Sequence, residues 1–235
     1  MAVHTIDVRD TFPARNDEVA MAVRRRLGAA GVTALNIVGA PGAGKTTLLE
    51  RTVRDVGESL DMAVAVADIA SLNDTERVAR HTDRPVQAML THGASHLGAC
   101  HVAGAVEAVD LAATRLLLIE NVGNLVCPAS WDLGEQAKVI VYSVTEGEDK
   151  PLKYARMFRK ARYVVLNKID LLPHVQFDAA LAVRYAHGVN PELTFFRVSA
   201  LTGEGMDDWY AFLRGLVPAV HPTPSNTPGI PAHAV

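Results

Sequence analysis

Short apolar runs recur along the chain, separated by stretches in which apolar residues follow helical spacing. The consecutive Val, Ile, Leu and Ala residues of the apolar runs are typical of strands that are buried on both faces. The runs predict strands at 34–38, 62–67, 115–119, 138–144, 162–166 and 194–198. The stretches between them predict helices at about 46–57, 74–80, 96–112, 151–160, 176–187 and 205–216, and an earlier helix is expected to begin at Asn16.

This alternation predicts an α/β fold with a mainly parallel sheet and helices on both faces. Such sheets bind ligands beyond the carboxyl ends of their strands. The folded domain is predicted to span 16–217, after an extended lead-in over 1–15. Five prolines and few apolar residues in 218–235 predict a disordered tail.

The residues after the first predicted strand match the P-loop pattern G-x-x-x-x-G-K-[ST]. They are Gly39, Ala40, Pro41, Gly42, Ala43, Gly44, Lys45 and Thr46, followed by Thr47. Glycines let backbone N–H groups turn toward an anion, and the helix N-terminus adds its positive dipole end. Lys45 is predicted to reach the β- and γ-phosphates, and the Thr46 hydroxyl to ligate Mg²⁺. Strand, loop and helix stand in the order that this motif requires.

A second motif indicates which base is bound. Asn167, Lys168 and Asp170 form an N-K-x-D sequence after the strand predicted at 162–166. The Asp170 carboxylate suits guanine, because it can accept hydrogen bonds from N1–H and the 2-amino group, and adenine offers neither donor there. Lys168 is expected to lie over the ring and Asn167 to brace the loop. The loop at Ser199, Ala200 and Leu201 is expected to contact the base edge. GTP is therefore the predicted nucleotide.

Acidic residues at other strand ends are candidates for the metal side of this site. Glu120 ends a predicted strand, where its carboxylate can hold Mg²⁺, and Gly123 can offer its N–H to the γ-phosphate. Asp68 and Asp74 are candidates to orient Mg²⁺ or the attacking water, although either could instead cap the helix near Thr75. Lys45, Asp68, Asp74 and Gly123 form the predicted catalytic set. No glutamine stands beside Gly123, so slow hydrolysis that a partner completes is expected.

Composition narrows the setting in which the protein works. A net charge of −3 and a pI near 6.3 argue against nucleic acid or an anionic membrane as the main partner. No apolar run approaches the ~18 residues of a membrane span. The 2 cysteines, Cys100 and Cys127, exclude a disulfide scaffold and fit a reducing compartment. We therefore expect a cytoplasmic protein.

Several longer runs match one family. They are 39–50, 73–77, 120–135, 145–151 and 167–171, of which 120–135 is the most specific. On these runs the chain resembles the hydrogenase nickel-incorporation GTPase family, HypB, over roughly 15–217. The resemblance implies a P-loop GTPase of the signal-recognition and MinD-like class that dimerises on GTP. It also implies nickel transfer to the [NiFe]-hydrogenase large-subunit precursor, together with a HypA-like metallochaperone.

The family's metal site uses a Cys-His pair and a later cysteine. Here the pair reads Ser95-His96, and the later cysteine is Cys127. A serine hydroxyl stays protonated and is a poor ligand for Ni²⁺ or Zn²⁺. We expect a dimer-interface site for Ni²⁺ or Zn²⁺ with His96 and Cys127 from each subunit. Cys100 is a candidate addition, because it lies one predicted helical turn after His96.

Other interpretations remain open from the sequence. His96, Cys100 and Cys127 could be ordinary packing residues, which would leave a GTP-dependent scaffold or regulatory switch without a metal role of its own. A urease-type nickel GTPase would carry a Cys-Pro-His motif, which is absent. The guanine motif argues against a small-molecule kinase. Lys150 or Lys153 could approach the nucleotide of a second subunit.

Overall fold

The computed structural model describes residues 3–7, 13–68 and 71–217. They form an eight-stranded sheet in which every pairing is parallel. In space the strands follow the order β1-β4-β3-β5-β2-β6-β7-β8. Their bounds are β1 Val3–Asp7, β2 Thr33–Gly39, β3 Met62–Asp68, β4 Val86–Leu90, β5 Leu116–Glu120, β6 Ala137–Ser143, β7 Tyr163–Asn167 and β8 Thr194–Arg197.

Helices cover both faces of the sheet. They are α1 Pro13–Ala29, α2 Lys45–Val56, α3 Asn73–Ala79, α4 Ala99–Ala108, α5 Lys150–Lys153, α6 Ala155–Lys160, α7 Ala179–Val189 and α8 Met206–Leu216. Leu35 and Ile37 of β2 pack into a core with α2, α3 and α8. Ala34 and Val38, which alternate with them, pack on the other face, toward α1 and α4 or toward α6 and α7. Burial on both faces explains why these strands read as unbroken apolar runs.

The predicted fold class is confirmed, and all six predicted strands are present. Two further strands, β1 and β4, escaped prediction. Gln87 interrupts the apolar run of β4, and β1 carries His4, Thr5 and Asp7 among its five residues. β1 pairs in parallel with β4 at the sheet edge, so part of the expected lead-in over 1–15 belongs to the sheet.

Several helix boundaries also differ from prediction. The first helix begins at Pro13, where a fixed φ suits the first helical turn, and not at Asn16. The helix predicted over 96–112 begins only at Ala99, and the one predicted over 151–160 is interrupted at Tyr154. The predicted tail over 218–235 lies outside the described residues. Within the described ranges, no helix has both the length and the apolar character to cross a membrane.

Candidate functional site: a nucleotide cavity and a neighbouring His–Cys cavity

A cavity of about 460 Å³ opens at the carboxyl ends of the central strands. β2 lies between β5 and β6, so the loops after β2 and β5 meet there. The cavity is lined by Pro41, Gly42, Gly44, Lys45, Thr46, Thr47, Ala67, Asp74, Arg77, Glu120, Asn121, Val122, Gly123 and Lys168. Most of the predicted phosphate-side residues, together with Asp74, Glu120 and Gly123 of the predicted metal side, therefore share one cavity. Its lining does not include Gly39, Ala40, Ala43, Asp170 or the 199–201 loop.

The loop after β2 has the backbone that a phosphate cradle requires. Gly42 and Gly44 adopt φ of 75° and 94°, a region that residues with a Cβ rarely enter. Lys45 begins α2 and is only 7% exposed. Its Nζ lies 3.5 Å from the Gly39 oxygen and 3.4 Å from the Ala40 oxygen, and burial lowers its pKa. The loop thus holds a buried cation at its centre.

Glu120 and Thr46 form the metal-side pair of the cavity. The Thr46 hydroxyl donates to Glu120 Oε1 at 2.8 Å, and Glu120 is 3% exposed. Burial raises the pKa of Glu120 to about 7, although the positive charge of Lys45 opposes this shift. Glu120 Oε2 is buried and has no hydrogen-bond partner among the described residues. A bound Mg²⁺ would supply that partner, so the oxygen donors present fit this ion.

Asp74 reaches the cavity from α3. Its carboxylate accepts a hydrogen bond from Arg77 at 3.0 Å, one helical turn away. The capping alternative does not hold for Asp74, because α3 begins at Asn73 and Leu72 occupies the cap position. Asp68 is the last residue of β3, but its side chain lies outside the described part of the structure.

Arg77 is a cavity residue that the sequence reasoning missed. Its Nη2 donates to Glu50 Oε2 at 2.6 Å and lies 3.4 Å from Thr47 Oγ1, so it ties α3 to α2. The available signal was its position one helical turn after Asp74. Arg77 thus adds a second cation, besides Lys45, to the lining of the cavity.

Gly123 lies against the phosphate loop. A Cβ at this position would come within 3.0 Å of Pro41 Cγ and 3.1 Å of the Pro41 backbone. A side chain here would have to push Pro41 away by a few tenths of an ångström, so the close approach favours glycine. The close packing holds Gly123 against the phosphate loop, on the wall of the cavity.

Asn167 braces the base side of the site. Its Nδ2 donates to the Ala43 oxygen at 3.0 Å, and its Oδ1 accepts from the Ala200 N–H at 3.1 Å. Lys168 adopts φ of 63° and donates from Nζ to the Gly42 oxygen at 2.7 Å. Asp170 Oδ1 is buried and finds no hydrogen-bond partner among the described residues. A carboxylate oxygen in that state favours a ligand that brings donors.

The loop at Ser199, Ala200 and Leu201 closes the base side. Ser199 is fully buried, and its Oγ accepts from the Thr202 N–H at 3.0 Å. Leu201 is 75% exposed, and its oxygen accepts from Arg51 at 2.9 Å. The loop is therefore held from α2 as well as by Asn167.

A second cavity, of about 370 Å³, contains His96 and Cys127. It is lined by Ser95, His96, Leu125, Val126, Cys127, Ser130, Trp131, Lys153, Tyr154, Arg156 and Met157. The His96 ring stacks on Trp131 with centroids 4.2 Å apart, and burial lowers the pKa of His96. Its Nδ1 is buried and has no hydrogen-bond partner within the described ranges. The Ser95 hydroxyl donates to Cys127 Sγ at 3.1 Å.

Cys100 does not join His96 and Cys127. Because α4 begins at Ala99, His96 precedes the helix and the predicted helical spacing between His96 and Cys100 does not apply. Cys100 is absent from the lining of the His96 cavity, its Sγ lies 3.6 Å from His101 Nδ1, and burial raises its pKa. Among the described residues, no cluster of three or more His, Cys, Asp or Glu side chains could hold a metal within one chain.

Comparison with known sequences gives a consistent result. Residues 33–197 match the family model described as CobW/HypB/UreG, nucleotide-binding domain. The hydrogenase maturation factor HypB of Rhizobium leguminosarum bv. viciae is 47% identical over 208 residues, covering 88% of this chain and 69% of the relative. HypB of Escherichia coli (strain K12) is 46% identical, with 88% and 70% covered. The probable HypB of Methanocaldococcus jannaschii is 34% identical, with 93% and 98% covered.

Solved structures agree. HypB from Archaeoglobus fulgidus superposes with a TM-score of 0.78 at 37% identity, covering 86% of this chain and 98% of that one. HypB from Helicobacter pylori in complex with nickel superposes with a TM-score of 0.79 at 31% identity, covering 89% of this chain and 100% of that one. FtsY from Mycoplasma mycoides gives 0.54 at 14% identity, a likeness of fold alone, with 88% and 78% covered.

Proposed function

Because the chain belongs to the hydrogenase maturation factor HypB family, whose members are P-loop GTPases, we propose that it dimerises on GTP and assists nickel insertion. The protein is a GTP hydrolase of hydrogenase maturation. Nickel is its cargo, and we propose the large-subunit precursor of a [NiFe]-hydrogenase as the acceptor. The proposal rests on the connection between the nucleotide cavity and the His96–Cys127 cavity. One loop, 121–127, lines the first cavity with its early residues and the second with its later ones.

The nucleotide cavity supplies the parts of a triphosphate site. Lys45 neutralises charge on the β- and γ-phosphates, and the Gly123 N–H reads the γ-phosphate. Thr46 and Glu120 hold Mg²⁺, which polarises the phosphate oxygens when bound. Asp74, with Asp68, orients the ion or the attacking water. The orphaned Asp170 carboxylate oxygen supports guanine as the base, and Lys168, Ser199, Ala200 and Leu201 are the residues proposed to contact that base with it.

Hydrolysis is proposed to be slow in the isolated subunit. No glutamine stands beside Gly123 to orient a water, so a second copy or another partner must complete the site. Lys153 lines the His96 cavity and Lys150 begins α5, which makes both candidates to act across an interface. Each is paired within its own subunit, Lys150 with Glu146 and Lys153 with Asp149, but the Lys153 side chain is 66% exposed and the Lys150 side chain only 11%, so Lys153 is the better placed of the two.

A second copy is also the proposed source of the missing metal ligands. One subunit offers His96 and Cys127, and two subunits together offer four N and S donors, enough for tetrahedral Zn²⁺ or square-planar Ni²⁺. Val126, at the rim of this cavity, is 63% exposed, and Leu152, beside Lys153, is 50% exposed. The H. pylori relative solved with nickel supports nickel as the cargo.

Equilibrium nickel titration, with GDP and with a non-hydrolysable GTP analogue and Mg²⁺, tests the proposal. Light scattering in the same two states reports the mass. We expect a monomer with GDP, a dimer with the analogue, and one nickel ion per dimer that Cys127→Ala removes. Identical masses in both states would contradict GTP-gated assembly.

A scaffold or regulatory switch without metal delivery is the second candidate. The observation that favours it is Ser95, which occupies the position of the family's cysteine and already hydrogen-bonds Cys127. In that case Cys127→Ala would leave nickel stoichiometry unchanged while GTP-dependent assembly persisted. For either function we propose a cytoplasmic location and a HypA-like metallochaperone as partner, without a role for nucleic acid or a membrane.

A further inference from the structure

A chain of buried polar side chains connects the nucleotide cavity to the interior of the sheet. Asn121, which lines that cavity, donates from Nδ2 to Asn36 Oδ1 at 3.1 Å. Asn36 in β2 donates from its own Nδ2 to Glu135 Oε1 at 3.1 Å. Asn36 is 0% exposed and Asn121 is 2% exposed. The path therefore begins at the segment that is proposed to read the γ-phosphate and passes directly into the core.

The path continues to the His96 cavity. Glu135 forms a buried ion pair with Lys138 of β6, whose Nζ donates to the Trp131 oxygen at 2.9 Å. The second oxygen of Glu135 accepts from the Leu133 N–H at 2.7 Å. Trp131 lines the His96 cavity and stacks on the His96 ring. The far end of the path thus holds the backbone on both sides of Asp132, at the Trp131 oxygen and at the Leu133 N–H.

The fold alone gives no reason for these polar residues. Ala34 and Val38 flank Asn36 on the same face of β2, and both are fully buried and apolar. Burying an amide and an ion pair costs free energy unless every partner is present, and apolar side chains of similar volume would often serve stability equally well. A fully satisfied buried network holds its members in one arrangement, which suits a positioning role.

We propose that Asn36 is a positioning residue that links the segment at Asn121–Gly123 to Trp131 and thereby fixes the orientation of the His96 ring. This inference deepens the proposed function and rests on it. The Val122 N–H donates to Asn121 Oδ1 at 3.0 Å, so backbone movement at Gly123 changes the Asn121 amide. Asn36 must then move with that amide or lose its hydrogen bond to it. A movement of Asn36 would in turn shift Glu135, Lys138 and Trp131 through the hydrogen bonds that join them.

A competing route runs along the surface. Asn124 pairs with Gly39 through its backbone and donates from Nδ2 to the Ser95 oxygen at 3.1 Å. This route reaches Ser95 and Cys127 without passing through Trp131. The two routes therefore make different predictions for variants at Asn36 and at Asn124.

The test uses Trp131 emission in the full-length protein. The signal is the difference between the GDP state and the state with a GTP analogue and Mg²⁺, and Trp131→Phe identifies the part that comes from Trp131. We expect Asn36→Leu to bind GTP as the parent does but to lose the nucleotide-dependent change in Trp131 emission. Asn190→Ala is the matched control, because its amide bonds the Phe158 and Ala161 oxygens away from this path.

A second variant guards against a folding defect in the first. Glu135→Gln combined with Lys138→Met removes both charges together, so no unpaired buried charge remains. This double variant removes the hydrogen bond from Lys138 to the Trp131 oxygen. It is expected to lose the nucleotide-dependent change in Trp131 emission while GTP affinity stays unchanged. A Trp131 response that survives in either folded variant, or that only Asn124→Ala abolishes, would overturn the proposal.

Nickel affinity provides the independent readout. Coupling between two sites is typically about 5–150-fold in affinity, and Asn36→Leu should bring the ratio between the two nucleotide states close to one. Failure of the parent to bind nickel would refute metal delivery and leave the Trp131 test valid. A parent that binds nickel with an unchanged nucleotide ratio in Asn36→Leu would refute the role of Asn36 alone.

Discussion

The nucleotide cavity and the His96 cavity are built in different ways. The first is formed mainly by short contiguous motifs that follow parallel strands, and much of its geometry lies in backbone conformation, as at Gly44 and Gly123. The second is lined by side chains from separate loops and from α5 and α6. One subunit holds most of the first site but offers only His96 and Cys127 to the proposed metal site. A contiguous motif therefore determines its own geometry, whereas the proposed metal site would depend on residues from separate loops and on a second copy.

The largest expected effect tests the self-contained character of the nucleotide cavity. Lys45→Ala removes a buried cation that would otherwise donate hydrogen bonds to the phosphates of GTP. Charged hydrogen bonds contribute up to about 3 kcal/mol, so GTP affinity should fall by about 100-fold or more. Calorimetry with a non-hydrolysable analogue measures it, with the exposed Lys160→Ala as control. Unchanged affinity would remove the P-loop assignment.

The next effect concerns pH in the protein without nucleotide or metal. Burial raises the pKa of Glu120 from 4.5 to about 7, so the folded state favours the neutral acid. The resulting stability is fully present below pH 4.5 and is lost as pH rises through 7. The loss should reach about 3 kcal/mol. Denaturant unfolding between pH 4 and 8 should show this slope for the parent and a flatter one for Glu120→Gln.

Glu204→Gln, at an exposed position, is the matched control for that slope. It should follow the parent at every pH. Superimposed profiles for the parent and Glu120→Gln would mean that the Glu120 carboxyl group titrates normally. Magnesium with GTP should reverse the slope in the parent, because the ion binds the ionised carboxylate.

The third prediction tests the base side. Asp170→Asn replaces an acceptor with an amide that can donate to the C2 carbonyl of xanthine. GTP binding should weaken by about 2 kcal/mol, roughly 30-fold, and XTP should gain. Competition among GTP, XTP and ATP measures this preference, and the exposed Asp208→Asn should leave it unchanged. Equal competition by ATP in the parent would contradict the guanine assignment.

Sequence reasoning succeeded where structure follows from contiguous residues. The strands buried on both faces were visible as unbroken apolar runs, and the P-loop and N-K-x-D motifs gave the ends of β2 and β7. β4 was missed because a buried Gln87 breaks its run, and β1 because an edge strand can be polar. Spacing also misplaced Cys100, since the helix begins after His96. No local pattern shows that Trp131 stacks on His96 or that Asn36 reaches Glu135, because these contacts form only through tertiary packing.

A fourth prediction separates the two cavities experimentally. Cys127→Ala should leave GTP affinity unchanged and weaken nickel binding in the GTP-bound dimer. Removing a residue that only supports a metal ligand typically lowers metal affinity by about 10–100-fold. The loss of nickel affinity in Cys127→Ala should be larger, because a proposed ligand itself is removed. Cys100→Ala is the control and should have no effect, since Cys100 does not line this cavity. A Cys100→Ala loss equal to that of Cys127→Ala would reverse the assignment.

The smallest effect is a gain, at Ser95. Its hydroxyl donates to Cys127 Sγ at 3.1 Å and so already lies within reach of the proposed ligand. Ser95→Cys would place a thiolate there, and thiolates bind Ni²⁺ and Zn²⁺ better than a protonated hydroxyl. Nickel affinity of the GTP-bound dimer should rise by about tenfold, or about 1.4 kcal/mol. Ser95→Ala, which removes only the hydrogen bond, is the matched comparison. If Ser95→Cys and Ser95→Ala bind nickel equally, position 95 lies outside the coordination sphere, and His96 and Cys127 alone make the metal site.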